Sequence, residues 1–282
     1  MASVCVMNFS VLMSIYSKEN PVFFRQALNS ILKQTVLPDE IVLVKDGPLP
    51  IELEEVIEEY RKIFFMKIVP LEKNMGLGEA LRVGVNAASN ELIARMDTDD
   101  ICYLDRFEIQ LNYIRKNPDV AVLGSSVQEF GSYPEDLGSF RVLPEKGQAL
   151  LRYAKYRSPV NHPSIMFRKS AVITSGNYSG TIRLFEDYSL FMRMILKGYK
   201  FYNLQRALLH FRVGDGTQNI KRRSGLHYIK SELKFLQYAR SIGYLNTREY
   251  LLSIIMKTPV RVLPLFIVKF IYFRLLRKKT GL

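Results

Sequence analysis

The chain has 282 residues, and 40 Lys and Arg against 27 Asp and Glu give it a formal net charge of +13. A composition of 48% hydrophobic and 24% charged residues is that of a globular protein and excludes a disordered chain. Two cysteines, Cys5 and Cys102, exclude a disulfide framework, and three histidines exclude a zinc finger. We therefore expect a reducing compartment, and the first 20 residues, which have no basic segment before an apolar run, predict a strand and not a signal peptide.

The positive charge is concentrated in the last third of the chain. Residues 1–196 hold 22 basic and 24 acidic side chains, a net of −2, whereas residues 197–282 hold 18 and 3, a net of +15. Net charge bears on partners and not on fold, so this division predicts a near-neutral body joined to a segment that meets something anionic. Nucleic acid and an anionic membrane surface are the two candidates.

The first hundred residues alternate between strand and helix patterns. Apolar runs predict strands at 10–16, 40–45, 66–69 and 91–96, and helical spacing predicts helices at 21–34, 51–64 and 77–88. Such alternation predicts βαβ units in a parallel sheet, with ligands bound beyond the carboxyl ends of the strands. Tyr16, Asp46 and the acidic residues 97–100 fall at those ends.

The second half of the chain is less regular. A helix at 105–116 and a strand at 120–123 precede a loop- and turn-rich stretch at 124–145, with glycines and prolines. The pattern then predicts a strand at 163–168, a helix at 186–197 and one or two strands at 200–213. From residue 222 onward it is helical and basic, and Pro259 and Pro264 are expected to interrupt any single helix.

The strongest local signal is Asp97-Thr98-Asp99-Asp100, directly after a hydrophobic strand. Two carboxylates spaced by one residue can place one side chain on a divalent cation and the other on a ribose hydroxyl or on the cation too. Mg²⁺ and Mn²⁺ prefer such oxygen ligands and share them with substrate phosphates. The alternative is an acidic cap for the following helix.

This run and its neighbours resemble glycosyltransferase family 2, whose members adopt the GT-A fold. The resemblance rests on segments in the same order and spacing, which are Val11–Tyr16, Ser30–Thr35, Val44–Gly47, Glu72–Ala80 and Asn86–Asp100. It implies an α/β fold with a mostly parallel central sheet flanked by helices and a basic C-terminal helical appendage. The catalytic domain would cover residues 1–215, and residues 216–282 would form the basic segment.

The resemblance also implies roles for single residues. Contacts to the donor nucleotide would come from Ser14, Tyr16, Asp46, Asn74, Gly76 and Asp97. Asp99, with Asp97, would hold Mn²⁺ or Mg²⁺ at the diphosphate. Lys45 departs from the pattern, since many relatives have an aspartate there.

Glu186-Asp187, before an apolar helical run, matches the pair that supplies the catalytic base in the family. Asp187 would take the proton from the acceptor hydroxyl, with Glu186 as the second candidate, and helix capping is the alternative. His162 and His210 are candidates for the acceptor side or for a metal ligand that the family often has near the later strand. A lone histidine is more often structural.

The segment 250–279 interleaves apolar residues with seven basic ones. Its longest central charge-free stretch, 262–268, is far shorter than the ~20 apolar residues of a spanning helix. This pattern favours a segment lying on an anionic membrane surface over one that binds nucleic acid, and packing on the catalytic body is the alternative.

The resemblance implies an inverting, metal-dependent glycosyltransferase of bacterial surface-polysaccharide synthesis, such as the exopolysaccharide, capsule, O-antigen or amylovoran-type enzymes. It would transfer a sugar from a nucleotide-diphosphate donor, with UDP favoured, to a lipid-linked saccharide, in the cytoplasm and peripheral on the inner face of the cell membrane. One alternative is a sugar-nucleotide pyrophosphorylase, although residues 17–21 lack the glycine-rich loop of that class. The other is a non-catalytic basic protein that binds RNA or membrane.

Overall fold

The structure of the chain is a computed structural model that describes residues 7–214 and 225–262, the latter without the side chains of residues 226 and 258–262. Its strands are β1 (Phe9–Ile15), β2 (Glu40–Lys45), β3 (Met66–Pro70), β4 (Leu92–Arg95), β5 (Ile101–Cys102), β6 (Val120–Phe130), β7 (Ser139–Arg141), β8 (Met166–Arg168) and β9 (Lys200–Arg212). Its helices are α1 (Pro21–Leu32), α2 (Ile51–Arg61), α3 (Leu77–Ala87), α4 (Arg106–Lys116), α5 (Gly147–Ala154), α6 (Lys169–Thr174), α7 (Glu186–Leu196), α8 (Gly225–Ser241) and α9 (Thr247–Val262).

One sheet runs through the molecule in the order β3-β2-β1-β4-β8-β6-β9-β5, and β7 pairs with β6. The β3-β2-β1-β4 part is parallel, as the alternating pattern predicts. Beyond β4 the pairs with β8 are antiparallel, and β6 and β9 pair in parallel. The sheet is therefore mixed, and the first hundred residues form its four-stranded parallel part.

Helices cover both faces of this sheet, so the parallel strands are buried on both sides. One apolar cluster packs α1, α2 and α4 on one face, and a second packs α3 and α7 on the other. The sequence marks the start of α1, because the Asn20 side chain accepts from the amide of Val22 over 2.8 Å and Pro21 occupies the first turn. Alternate residues of each strand thus reach different cores, which explains their continuous hydrophobic runs.

The prediction of a loop from residue 124 is wrong, because β6 continues to Phe130 and is buried throughout. The main chain of its polar residue Ser125 is bonded by the turn at 161–164. The side chain of Asn161 donates to the carbonyl of Ser125 over 2.9 Å, and the amide of Ser125 donates to the Ser164 hydroxyl over 3.2 Å. Gly124, Ser125 and Ser126 have low strand propensity, so the sequence pattern does not indicate the strand that they form.

Two helices follow β9 in the chain and pack on the part that precedes them. Aromatic side chains of α8 meet the first turns of α7, where the Phe185 and Phe235 rings stack with centroids 4.5 Å apart. The prediction that Pro259 interrupts the helix is wrong, since α9 continues to Val262. Loss of one main-chain hydrogen bond does not end a helix that packs along a neighbour. Pro264 and the predicted basic segment from 263 onward lie outside the described residues.

Within the part of the chain that the structure describes, none of the helices combines the length and apolar character needed to cross a bilayer.

Candidate active site

The carboxyl ends of β1, β2 and β4 bring three predicted site segments to one edge of the sheet. Ser14 and Tyr16, at the end of β1, are half-buried. The parallel registers place this strand end between Asp46, which follows β2, and Asp97, which follows β4. The amide of Asp46 donates to the carbonyl of Ile15 over 2.8 Å, which fixes the first of these junctions. The topology thus assembles residues that are far apart in sequence.

Asp46 is joined to the turn before α3. Its Oδ1 and Oδ2 accept from the amides of Met75 and Gly76 at 2.6 and 3.0 Å, and the Asn74 side chain donates to its carbonyl at 3.3 Å. Gly47 has φ +91°, and a Cβ on it would lie 2.7 Å from the amide nitrogen of Asn74. The predicted nucleotide contacts Asp46, Asn74 and Gly76 therefore form one rigid unit.

Three aspartates form the acidic group of the site. One oxygen from each of Asp97, Asp99 and Asp100 lies within 4.8 Å of the others. Asp97 and Asp99 are half-buried, whereas Asp100 is buried, and its Oδ1 accepts from the amide of Arg212 over 2.8 Å. Its Oδ2 is buried without a hydrogen-bond partner among the described residues.

Crowding of these carboxylates changes their acidity. Burial, and then the charge of Asp97, raises the pKa of Asp99 to about 6. Burial, and then the charge of Asp99, raises the pKa of Asp100 well above its usual range. A divalent cation would relieve this repulsion, and an all-oxygen donor set with an unpartnered oxygen suits Mg²⁺ or Mn²⁺. The residues present therefore fit such a cation.

Two buried arginines flank the acidic group, and the sequence did not single out either. Arg95 pairs with Asp97. Arg212 lies between the rings of Phe23 and Phe130, with its Cζ 3.9 and 4.3 Å from their centroids, and its Nε donates to the carbonyl of Asp99 over 2.8 Å. The sequence feature that could have identified Arg95 is its position directly before Met96 and Asp97, inside a hydrophobic strand where a charged side chain is unusual.

The candidate bases lie in the first turn of α7. Both Glu186 and Asp187 are half-buried, and burial raises the pKa of Glu186. Glu186 packs on the start of α3, since a Cβ on Gly78 would lie 2.6 Å from its Cγ. Burial raises the pKa of the Tyr178 hydroxyl, the charge of Arg95 opposes this shift, and the charges of Asp187 and Asp97 add to it.

Both candidate histidines have structural partners. His162 is half-buried, its Nε2 lies 2.9 Å from the Tyr178 hydroxyl, and the burial of its ring lowers its pKa well below the usual range. His210 stacks on Tyr103 with ring centroids 4.1 Å apart and meets the edge of Phe130. His210 is not part of the group of three aspartates. The structure thus places the two rings in separate packed surroundings.

Comparison with known proteins places the chain among glycosyltransferases. Residues 10–175 match the model of "Glycosyl transferase family 2". The chain is 39% identical over 270 residues to a UDP-Gal:alpha-D-GlcNAc-diphosphoundecaprenol beta-1,3-galactosyltransferase of Escherichia coli, with 96% of this chain and 97% of that protein covered. It is 36% identical over 264 residues to the amylovoran biosynthesis glycosyltransferase AmsE of Erwinia amylovora, covering 94% of this chain and 97% of the relative.

A solved structure gives the same fold. A mannosyltransferase from Pyrobaculum calidifontis in complex with GDP-Man and Mn²⁺ superposes with a TM-score of 0.63 at 14% identity, over 85% of this chain and 65% of that one. A likeness at this identity concerns the fold, and it confirms the predicted GT-A architecture.

Proposed function

Because the chain belongs to glycosyl transferase family 2 and is a glycosyltransferase, we propose that it transfers a sugar from a UDP-sugar to a lipid-linked saccharide. The observation that carries the proposal is the acidic group at the sheet edge, at the same strand ends as the Asp46 to Gly76 unit. The family does not support the alternatives, a pyrophosphorylase or a non-catalytic basic protein.

In this proposal the sheet edge holds the donor. Ser14 and Tyr16 contact the nucleotide from β1, and the turn of Asn74 and Gly76, which is held by Asp46, contacts it as well. Asp97 accepts from the ribose or joins Asp99 at a divalent cation. A bound Mg²⁺ or Mn²⁺ would neutralise charge that gathers on the diphosphate as the sugar leaves.

Asp187 is the proposed base for an inverting transfer. The acceptor hydroxyl oxygen bonds to the anomeric carbon as the bond from that carbon to the diphosphate breaks, and the proton passes to the Asp187 carboxylate. Glu186 is the second candidate.

The donor and acceptor follow from the relatives. The Escherichia coli relative is named for UDP-Gal and for a sugar on diphosphoundecaprenol, and the Erwinia relative for amylovoran biosynthesis. We extend a UDP-sugar donor and a polyprenyl-diphosphate acceptor to this chain, within bacterial surface-polysaccharide synthesis at the cytoplasmic face of the membrane.

The outer face of α9 supports a membrane partner. Leu251, Leu252, Ile255 and Met256 form one stripe and are between 47% and 67% exposed. Arg248, one turn earlier on the same stripe, is also exposed. An apolar stripe beside basic side chains suits the interface of an anionic bilayer. We therefore keep 1–215 as the catalytic domain and 216–282 as the segment that meets the membrane, with no nucleic acid as partner.

A donor-hydrolysis assay tests the catalytic proposal. Purified protein is assayed with UDP-, GDP- and dTDP-sugars and Mn²⁺, alongside Asp99→Ala and Asp187→Asn. The matched control is Asp119→Asn, an exposed carboxylate paired with Lys200 at the surface. We expect turnover of UDP-sugars to fall at least 100-fold in the two site variants, within the range of one lost acid–base or electrostatic group, and to persist in the control. Unchanged turnover in Asp99→Ala or Asp187→Asn would refute the assigned role.

Co-sedimentation with vesicles of anionic phospholipid tests the membrane proposal. The double variant Leu252→Glu, Ile255→Glu should bind much less, and wild-type binding should fall with rising salt. Leu104→Glu, at a leucine that is 60% exposed elsewhere on the surface, is the control. Equal binding of both variants and the wild type would exclude this face as the contact.

A further inference from the structure

Arg95 is a buried cation with few partners. It ends β4 and is 1% exposed, and its Nη2 donates to Oδ1 of Asp97. Its Nε and Nη1 are buried without a hydrogen-bond partner among residues 7–214 and 225–262. A buried charge left partly unsatisfied costs stability. Its presence at this point therefore calls for a reason other than the fold.

The position of Arg95 is fixed by its main chain. Its amide donates to the carbonyl of Ile165 over 2.9 Å, and its carbonyl accepts from Nη2 of Arg106 over 2.7 Å. Arg106 is fully buried, and its Nε donates to Gln110 over 3.2 Å. The guanidinium of Arg95 thus projects from a rigid frame, unlike a long cation at the surface.

Asp97 is the anion that forms an ion pair with Arg95, and the charge of Arg95 also acts on Asp99 and Asp100. His162, within electrostatic range of Arg95, is a neutral ring at ordinary pH because burial lowers its pKa. The carboxylate of Asp97 is 34% exposed, so one of its oxygens faces the buried guanidinium while the group remains open to the site. The ion pair of Arg95 with Asp97 therefore connects a buried side chain to the group of three aspartates.

We propose that Arg95 is a positioning residue that fixes the rotamer of Asp97. With Oδ1 held by Arg95, Asp97 offers a single oxygen, Oδ2, to the donor nucleotide or its cation. This inference rests on the proposed function, because it assumes that Asp97 binds the donor. In this inference Arg95 contacts neither the nucleotide nor the cation, and it acts by fixing the orientation of the Asp97 carboxylate that binds them.

The pairing predicts that stability and binding respond in opposite directions. Arg95→Met replaces the cation with an apolar side chain of similar length, and such a replacement of a buried ion is often neutral or stabilising. The freed Asp97 is partly exposed, so water can solvate it. Loss of a group that orients a ligand typically weakens binding 10- to 100-fold.

Titration calorimetry with UDP and Mn²⁺, together with thermal melts, tests the inference on the full chain. We expect Arg95→Met to keep or raise the Tm and to weaken UDP binding at least tenfold. Arg95→Lys, which keeps the charge but has one donor group, should bind with intermediate affinity. In a double-mutant cycle, Arg95→Met should have no further effect on UDP affinity when Asp97→Asn is already present.

The outcomes separate the two proposals. UDP affinity equal to wild type in both Arg95 variants would overturn the positioning role, and so would a lower Tm with unchanged affinity of the folded protein. If Arg95→Met does not fold, the test uses Arg95→Lys. The positioning role is then overturned if Arg95→Lys binds UDP with wild-type affinity and if its effect and that of Asp97→Asn on UDP affinity are additive in a double-mutant cycle. Failure of the wild-type chain to bind UDP, GDP or dTDP with Mn²⁺ would overturn the proposed function, and this inference with it.

Discussion

Replacement of Gly47 by alanine tests the contact between the two loops of the donor site. Gly47 has φ +91°, and its Cβ would lie 2.7 Å from the Asn74 nitrogen and 3.1 Å from the carbonyl carbon of Lys73. Gly198, after α7, has φ +80° and no atom within 4 Å of its Cβ. Both Gly47→Ala and Gly198→Ala therefore place alanine in the left-handed backbone region, but only Gly47→Ala also brings a Cβ into collision with the main chain of residues 73 and 74.

The two costs can be estimated separately. A residue other than glycine in the left-handed region costs about 1–2 kcal/mol, which is the whole expected loss for Gly198→Ala. Collision with main-chain atoms adds about 1–3 kcal/mol, the usual range for overpacking. Gly47→Ala should therefore lose about 2–5 kcal/mol of unfolding free energy, unless the 73–76 turn moves away. A turn that moves would misplace the Asn74 and Gly76 groups.

Urea denaturation and UDP titration measure both results. We expect Gly47→Ala to be less stable than Gly198→Ala by at least about 1 kcal/mol, or to bind UDP about tenfold more weakly, while Gly198→Ala binds as the wild type does. Equal stability of the two variants together with equal UDP affinity would refute the close approach of residues 47 and 74. The comparison of stabilities does not depend on the proposed function.

Three further predictions concern buried polar groups and the start of α7. Glu40→Gln should lower stability by about 1–3 kcal/mol at neutral pH, because the buried carboxylate accepts from two serines at 2.6 to 3.0 Å. Burial alone would raise the pKa of Glu40, but these hydrogen bonds hold it below the ordinary value. The stabilisation is therefore complete above about pH 4.3 and is lost as the pH falls through the lowered pKa, which thermal melts of both proteins against pH will show. Arg106→Leu should cost about 1–3 kcal/mol for each acceptor left unpaired, measured by urea denaturation. Gly78→Ala should reduce turnover of a UDP-sugar more than tenfold by displacing Glu186, whose Cγ would lie 2.6 Å from the new Cβ.

Each of these has a control or a contrary result. A gap between the Glu40→Gln and wild-type melts that does not change with pH would contradict the assigned pKa. Arg82→Leu removes an exposed ion pair within one helix and should lower the unfolding free energy by only about 0.2–0.5 kcal/mol. An equally small loss for Arg106→Leu would contradict the role given to its hydrogen bonds. Gly180→Ala, with its nearest atom at 3.6 Å, should retain turnover, and the same activity in Gly78→Ala would remove the steric argument.

The sequence predicted the first half of the fold because the signals there are local. Asn20 and Pro21 mark the start of α1, and the hydrophobic runs of β1, β2 and β4 are those of strands buried on both faces. The ends of these strands also identified the polar residues that the sheet brings together. Order along the chain and the rule for parallel sheets were sufficient for that step.

Other features depend on partners that are distant in sequence. β6 contains Gly124, Ser125 and Ser126, which are not typical of strands, and the polar turn at 161–164 bonds the main chain of Ser125 there. Arginines are mostly exposed in proteins, so the sequence provides no reason to bury Arg212, and for Arg95 it provides only the position inside a hydrophobic strand. The positions of the two arginine side chains depend on how β4 and β9 pair with their neighbouring strands in the folded sheet. Contacts within the site therefore required the structure.

The hydrogen bonds of Arg212 also constrain the order in which the site can form. This residue is separated by 112 positions from Asp100, whose side chain accepts from its amide, and by 186 from Gln26, whose side chain accepts from its Nη2. Contacts of such separation form late, because closing long loops costs entropy before any contact is gained. During synthesis the acidic group would lack these bonds until β9 has left the ribosome. The parallel sheet of the first hundred residues can then form earlier than the site it carries.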